Sequence, residues 1–96
     1  MTQWKDATRY HQGEIRGVKP IDAWSIKSGK LQIWVSNAHR MHPDAWVCTC
    51  YQLHIDAWPL RLKAGAPVKE AKARAHALVG DTIADLRNDF LKISEE

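Results

Sequence analysis

Two stretches with apolar residues at alternate positions, Asp22-Ala23-Trp24-Ser25-Ile26-Lys27 and Lys30-Leu31-Gln32-Ile33-Trp34-Val35-Ser36, flank the pair Ser28-Gly29. A period of two marks half-buried strands, and a two-residue link containing glycine joins such strands as a hairpin. Pairing Lys27 with Lys30 sets Ile26 against Leu31 and Trp24 against Ile33, so Trp24, Ile26, Leu31, Ile33 and Val35 share a core face. The opposite face, Ala23, Ser25, Lys27, Lys30, Gln32, Trp34 and Ser36, is polar apart from the large aromatic Trp34.

A loop over residues 37–44 leads into a β-branched and aromatic run, residues 46–53, which reads as a third strand. Both of its faces are fairly apolar: either Trp46, Cys48 and Cys50 or Val47, Thr49 and Tyr51 point inward, and alternation alone leaves both readings open. Pro59 interrupts the next segment and leaves Leu60-Arg61-Leu62 as at most a short edge strand. Residues 1–20, with Gly13, Gly17 and Pro20, read as mostly irregular, with room for one short strand within residues 4–10.

The longest periodic pattern starts at Pro67. Apolar residues recur at Val68, Ala71, Ala75, Leu78, Val79, Ile83, Leu86, Phe90 and Ile93, in steps that return to one helical face. Proline suits the first helical position because the amide it lacks would have no partner there. The pattern predicts a helix over residues 67–93 with one face buried from end to end. Ala71 and Ala75 bring its first half closest to the sheet. At about 1.5 Å per residue it spans roughly 40 Å, longer than a three-stranded sheet is wide, so its last turns are expected to overhang or bend. Gly80 is the place for that bend or for a close backbone contact.

The predicted fold is therefore α+β: one domain over residues 1–96, with a three- to four-stranded antiparallel β-meander over 21–62 packed on one long C-terminal amphipathic helix. A chain of 96 residues, 45% hydrophobic and 26% charged, has the composition of a folded domain with a single core. No apolar run reaches a membrane span, and Met1-Thr2-Gln3-Trp4-Lys5-Asp6 lacks the apolar region of a signal peptide, so a cytoplasmic location without membrane partners is expected. Cys48 and Cys50, one residue apart on a strand, cannot easily bridge each other and read as free thiols of a reducing compartment.

Net charge is +3 but unevenly spread: residues 1–79 hold 12 Lys/Arg against 6 Asp/Glu, and residues 80–96 hold 2 against 5. Arg61, Lys63, Lys69, Lys72 and Arg74 concentrate at the start of the helix, opposed there only by Glu70. With His76 continuing the face of Lys69 and Lys72, they form a candidate site for nucleic acid or an acidic partner.

Enzyme chemistry finds little support. His39, His42, Cys48, Cys50 and His54 are zinc-ligand types within 16 residues, but Cys-Thr-Cys on a strand does not form the usual knuckle, and buried thiols with surface histidines explain them without a metal. Thiols between large residues in mid-strand make poor nucleophiles, and no glycine-rich phosphate loop is present. The chain reads as non-enzymatic and without cofactor, and its pattern specifies no oligomeric state.

Two resemblances bear on function. Lys69-Glu70-Ala71-Lys72-Ala73-Arg74-Ala75-His76-Ala77-Leu78, after a meander, resembles the helix that closes double-stranded-RNA-binding domains, which implies lysines that meet phosphates. That family's N-terminal helix has no counterpart here, and Ala66-Pro67-Val68 stands where the family carries glycine and lysines. Over the whole chain, isolated tryptophans in a meander (Trp24, Trp34, Trp46) followed by an alanine-rich charged helix are similar in style to small phage- and prophage-encoded accessory proteins, including anti-CRISPR inhibitors. That likeness implies docking on a host macromolecular complex such as a CRISPR effector.

Five tryptophans in 96 residues are more than the hairpin core accounts for. Trp and Arg are enriched where partners bind. Trp34, with His39 and Arg40 in the following loop, is therefore the expected partner-binding set for a protein. The other expectation for Trp34 is that the irregular N-terminal segment folds over this face and buries it. A nucleic acid bound by the five-cation patch is the alternative partner.

Overall fold

The structure is a computed structural model that describes residues 3–8 and 22–94. Among the described residues, five strands form one antiparallel sheet in sequence order, β1 (Lys5–Asp6), β2 (Ala23–Ser28), β3 (Leu31–Ser36), β4 (Ala45–Cys50) and β5 (Ile55–Lys63). One helix, α1 (Val68–Ser94), follows. The α+β meander with a long C-terminal helix is as expected, with one more strand. The short strand expected near the N-terminus is β1, which pairs Lys5 with Ser25 and Asp6 with Trp24. Residues 9–21, most of the segment expected to be irregular, lie outside the described residues.

The β2–β3 hairpin turns at Gly29-Lys30, with Ser28 opposite Leu31, instead of at Ser28-Gly29. Gly29 carries a φ of +58°, and glycine in the first central position is what a two-residue hairpin turn of this kind requires. Ile26 therefore faces Ile33 and Trp24 faces Val35. The slip is two residues in total, so the expected core face survives intact; an odd slip would have turned every side chain over.

On β4, Trp46, Cys48 and Cys50 join the core with Ile33, Val35, Ile55, Leu60, Ala71, Ala75 and Val79. The strand ends at Cys50 and not at Leu53, because Tyr51–Leu53 coil into a 3₁₀ turn closed by His54 in the left-handed region. The Gln52 side chain fixes that turn: its Oε1 accepts from the Gln32 backbone amide at 3.1 Å and from the Cys50 thiol at 3.7 Å. A side chain thus continues the β3–β4 ladder where the strand has turned away.

The nine-residue β5 corrects the short edge strand expected around Leu60. Pro59 is accommodated on the edge, paired with Val47, between two bulges. Asp56 and Ala57 stand against the single Thr49, whose Oγ1 accepts from the Ala57 amide at 3.1 Å. Leu60, Arg61 and Leu62 stand against Trp46. Ala57 (φ +47°) and Arg61 (φ +59°) adopt the left-handed backbone at which the strand is re-aimed.

The helix is launched from a pinned loop. Trp46 Nε1 donates to the Ala66 carbonyl at 3.0 Å and Asn37 Nδ2 to the Ala64 carbonyl at 3.1 Å. The Pro67 carbonyl then accepts from the Glu70 and Ala71 amides. The first half of α1 packs across β3, β4 and β5, with Ala71 and Ala75 fully buried. The expectation of a face buried from end to end fails beyond Val79: Ile83 is 43%, Leu86 50%, Phe90 64% and Ile93 69% exposed. The helix overhangs because it is longer than the sheet is wide. Gly80 makes no close contact, since a Cβ there would meet nothing within 4 Å. The radius of gyration is 15.3 Å, where a compact chain of this length has roughly 12.5 Å.

Candidate partner-binding face

Trp34 sits between Ile33 and Val35, both buried toward the helix, so strand alternation sends its side chain to the opposite face. It pairs with Ser25 on one side and Thr49 on the other, small residues that leave room around the indole. Tyr51, redirected by the 3₁₀ turn, meets Trp34 edge to face at a centroid distance of 5.5 Å and an interplanar angle of 62°. Around this pair lies an open cleft of about 840 Å³, lined by Ala23, Ser36, Thr49, His39, Arg40 and Asp56 among others.

The residues expected to act with Trp34 are brought to it. His39 and His42 form an isolated bridge with ring centroids 5.8 Å apart, and His39 Nδ1 accepts from the Met41 amide at 3.1 Å. Ser36 Oγ accepts from the Ala38 amide at 3.2 Å, holding the chain where it leaves β3. The folded loop projects Arg40 and Met41 into solvent, Met41 being 74% exposed. The Arg40 guanidinium and the His39 imidazole therefore stand together at one rim of the cleft, with Met41 next to them in the loop.

Sequence reasoning missed Tyr51, Thr49 and Asp56. The pattern puts Tyr51 on a continuing strand, and the weak signal against that is the polar Gln52 and His54 interrupting the alternation. Asp56 reaches the cleft through the bulge at Ala57, which no sequence periodicity encodes.

The five cations do not form one patch. Lys72 is half-buried, its ammonium lying over Trp24 and Trp4 near the β1–β2 edge. Arg74, about 200° further round the helix, donates through Nη1 to the carbonyls of Leu60 at 3.0 Å and Arg61 at 3.1 Å on β5. Arg61, Lys63 and Lys69 are exposed. The arrangement thus gathers Arg61 and Arg74 at β5, sends Lys72 to the other side of the helix, and engages two of the five internally.

Cys48 and Cys50 are free and buried. Burial pushes the Cys48 thiol from its ordinary 9.0 up to about 12, and the neighbouring Cys50 adds to the effect. A thiol in that state is a packing residue and not a nucleophile. Among the described residues, no three His, Cys, Asp or Glu side chains gather as a metal site would require, and no helix is long and apolar enough to cross a membrane. No protein-family model matches the chain, and neither the curated proteins nor the solved structures include a match to it.

Proposed function

We propose that this chain is a non-enzymatic binding protein that docks stoichiometrically on a protein partner through the outer face of its sheet, in the manner of the phage-encoded inhibitors its sequence resembles. The observation that carries the reading is the Trp34–Tyr51 pair, set in an open cleft with Arg40 and His39 at its rim. Rigid aromatic rings with two rotatable bonds supply contact area at low entropic cost, and the planar guanidinium suits a carboxylate. The fitting partner surface is a protruding apolar side chain with a single acidic group placed to meet Arg40 at the rim, clear of Asp56 in the cleft; within a host complex such as a CRISPR effector, a protein surface of that kind meets the description.

The nucleic-acid reading is weaker on the same grounds of placement, because Lys72 and Arg74 are engaged within the fold. Paired affinity captures from host extract, with wild type against Trp34→Ala and Arg40→Ala, test the proposal. A specific partner recovered stoichiometrically with wild type should be lost with both variants at unchanged melting temperature. Equal recovery would retire this face. A shift of duplex RNA at low salt that vanishes with Lys69→Ala and Arg61→Ala would favour the alternative.

A further inference from the structure

Past Val79 the apolar stripe of α1 continues through Ile83, Leu86, Phe90 and Ile93 in steps of four, three, four and three. That average of 3.5 is the period of helices that pair with each other along a seam. All four side chains are 43–69% exposed on one helical face, a contiguous apolar patch of the kind that marks an interaction site. A helical segment of this length is also marginal in water without packing.

We propose that this overhang is a self-association element: two copies of the chain pair their helices antiparallel, about a twofold axis level with Asn88. The stripe faces the same side as Ala71, Ala75 and Val79, which rest on the sheet, so the space beneath the overhang is bounded at one end by the sheet itself. A parallel second helix, continued toward its own start, would run into that sheet. An antiparallel one enters end first and stops short of it.

The lengths agree. With Ile83 opposite Ile93 of the second copy and Leu86 opposite its Phe90, Ser94 of the second copy, where α1 ends, falls level with Thr82, just past the last buried helix residue, Val79. This register sets each large Phe90 against a Leu86, whereas a parallel one would stack Phe90 on Phe90. Pairing over about 15 residues a side buries on the order of 1,000 Å² in total, the lower end of what a specific dimer needs.

Charge separates this occupant from others. Residues 80–96 carry five acidic and two basic side chains, so two copies repel and salt should strengthen the dimer. A basic partner would be weakened by salt, and an anionic lipid surface would be repelled. The pairing leaves both Trp34 faces open, since they lie on the far side of each sheet from α1.

Sedimentation equilibrium of the full chain at up to roughly 100 µM, where a weak dimer of micromolar Kd is populated, should show a monomer–dimer equilibrium shifted toward dimer as salt rises. Ile83→Asp and Leu86→Asp should each give monomers whose tryptophan-monitored melting is unchanged. Spin labels on Lys69→Cys should lie about 57 Å apart along the pair, twice the rise from position 69 to the axis, against about 10–20 Å for a parallel pair. A chain monomeric throughout, a dimer that survives both aspartates or dissociates with salt, a short label distance, or stripe-dependent binding to phosphatidylcholine vesicles would each overturn the proposal.

Discussion

The Lys72 ammonium stands 4.1 Å from the centre of the Trp24 ring and 5.5 Å from that of Trp4, joining the helix to the first two strands by a cation held between indoles. Trp4 lies just before the two-residue β1, so this contact ties that edge to α1. Such contacts are worth about 0.5–1 kcal/mol when exposed and about 2 when desolvated. Lys72→Ala should lower the stability measured by urea unfolding by roughly 1 kcal/mol, and Lys72→Arg should retain most of it. If Lys72 were instead a solvated phosphate ligand, alanine would leave the unfolding midpoint where it was.

Arg61 and Ala57 hold left-handed backbone at the bulges of β5. A side chain in that region costs about 1–2 kcal/mol, and glycine's extra chain entropy costs about 0.5–1. Arg61→Gly and Ala57→Gly should therefore stabilise the fold by up to about 1 kcal/mol each, by thermal melting, where glycine in a regular strand destabilises. A loss of stability at both sites would mean that the strand does not bulge there.

Cys48 supplies a pH signature. Its thiol titrates at about 12 in the fold against 9.0 ordinarily, so the folded chain holds a proton that the unfolded chain has released between those values. The contribution is fully present below pH 9.0 and is lost as pH rises toward about 12; within that window stability should fall by at most about 1.4 kcal/mol per pH unit. Native protein should resist thiol reagents at neutral pH and react at both cysteines once unfolded. Rapid labelling of the native chain would contradict the burial of these side chains.

The two halves of α1 should answer mutation differently. Ala71 and Ala75 are fully buried against the sheet, so Ala75→Leu must force the helix away and should cost about 1–3 kcal/mol or more. In monomeric protein at high dilution, Leu86→Ala on the overhang should change stability by no more than about 0.5 kcal/mol. Denaturant titrations of both variants, read by tryptophan fluorescence, make the comparison.

What could be read from the sequence was whatever depended on local period. The hairpin core face of Trp24, Ile26, Leu31, Ile33 and Val35 was legible despite the misplaced turn, because an even slip preserves facing. Trp34 was legible as the one residue out of pattern. Tyr51 was not, because its position depends on Gln52 reaching across to β3. β5 was hidden by Pro59 and by bulges that break the alternation a strand is recognised by. The basic set looked unified because proximity in sequence says nothing about which cation meets Trp24 and which meets the carbonyls of β5. Length alone predicts the overhang but not its exposure, because a stripe that packs on a sheet and one that runs off its end share the same spacing.

The irregular course of β5 has a further consequence for solution behaviour. A flat, fully hydrogen-bonding outer strand invites a neighbouring molecule to add its own strand and so on indefinitely. Pro59 removes one donor from this margin, and the turns at Ala57 and Arg61 twist the remaining groups out of line. Growth into fibrils by sheet extension is thereby discouraged along this side, so the chain can carry five tryptophans and an exposed hydrophobic helix without also offering that template for runaway polymerisation.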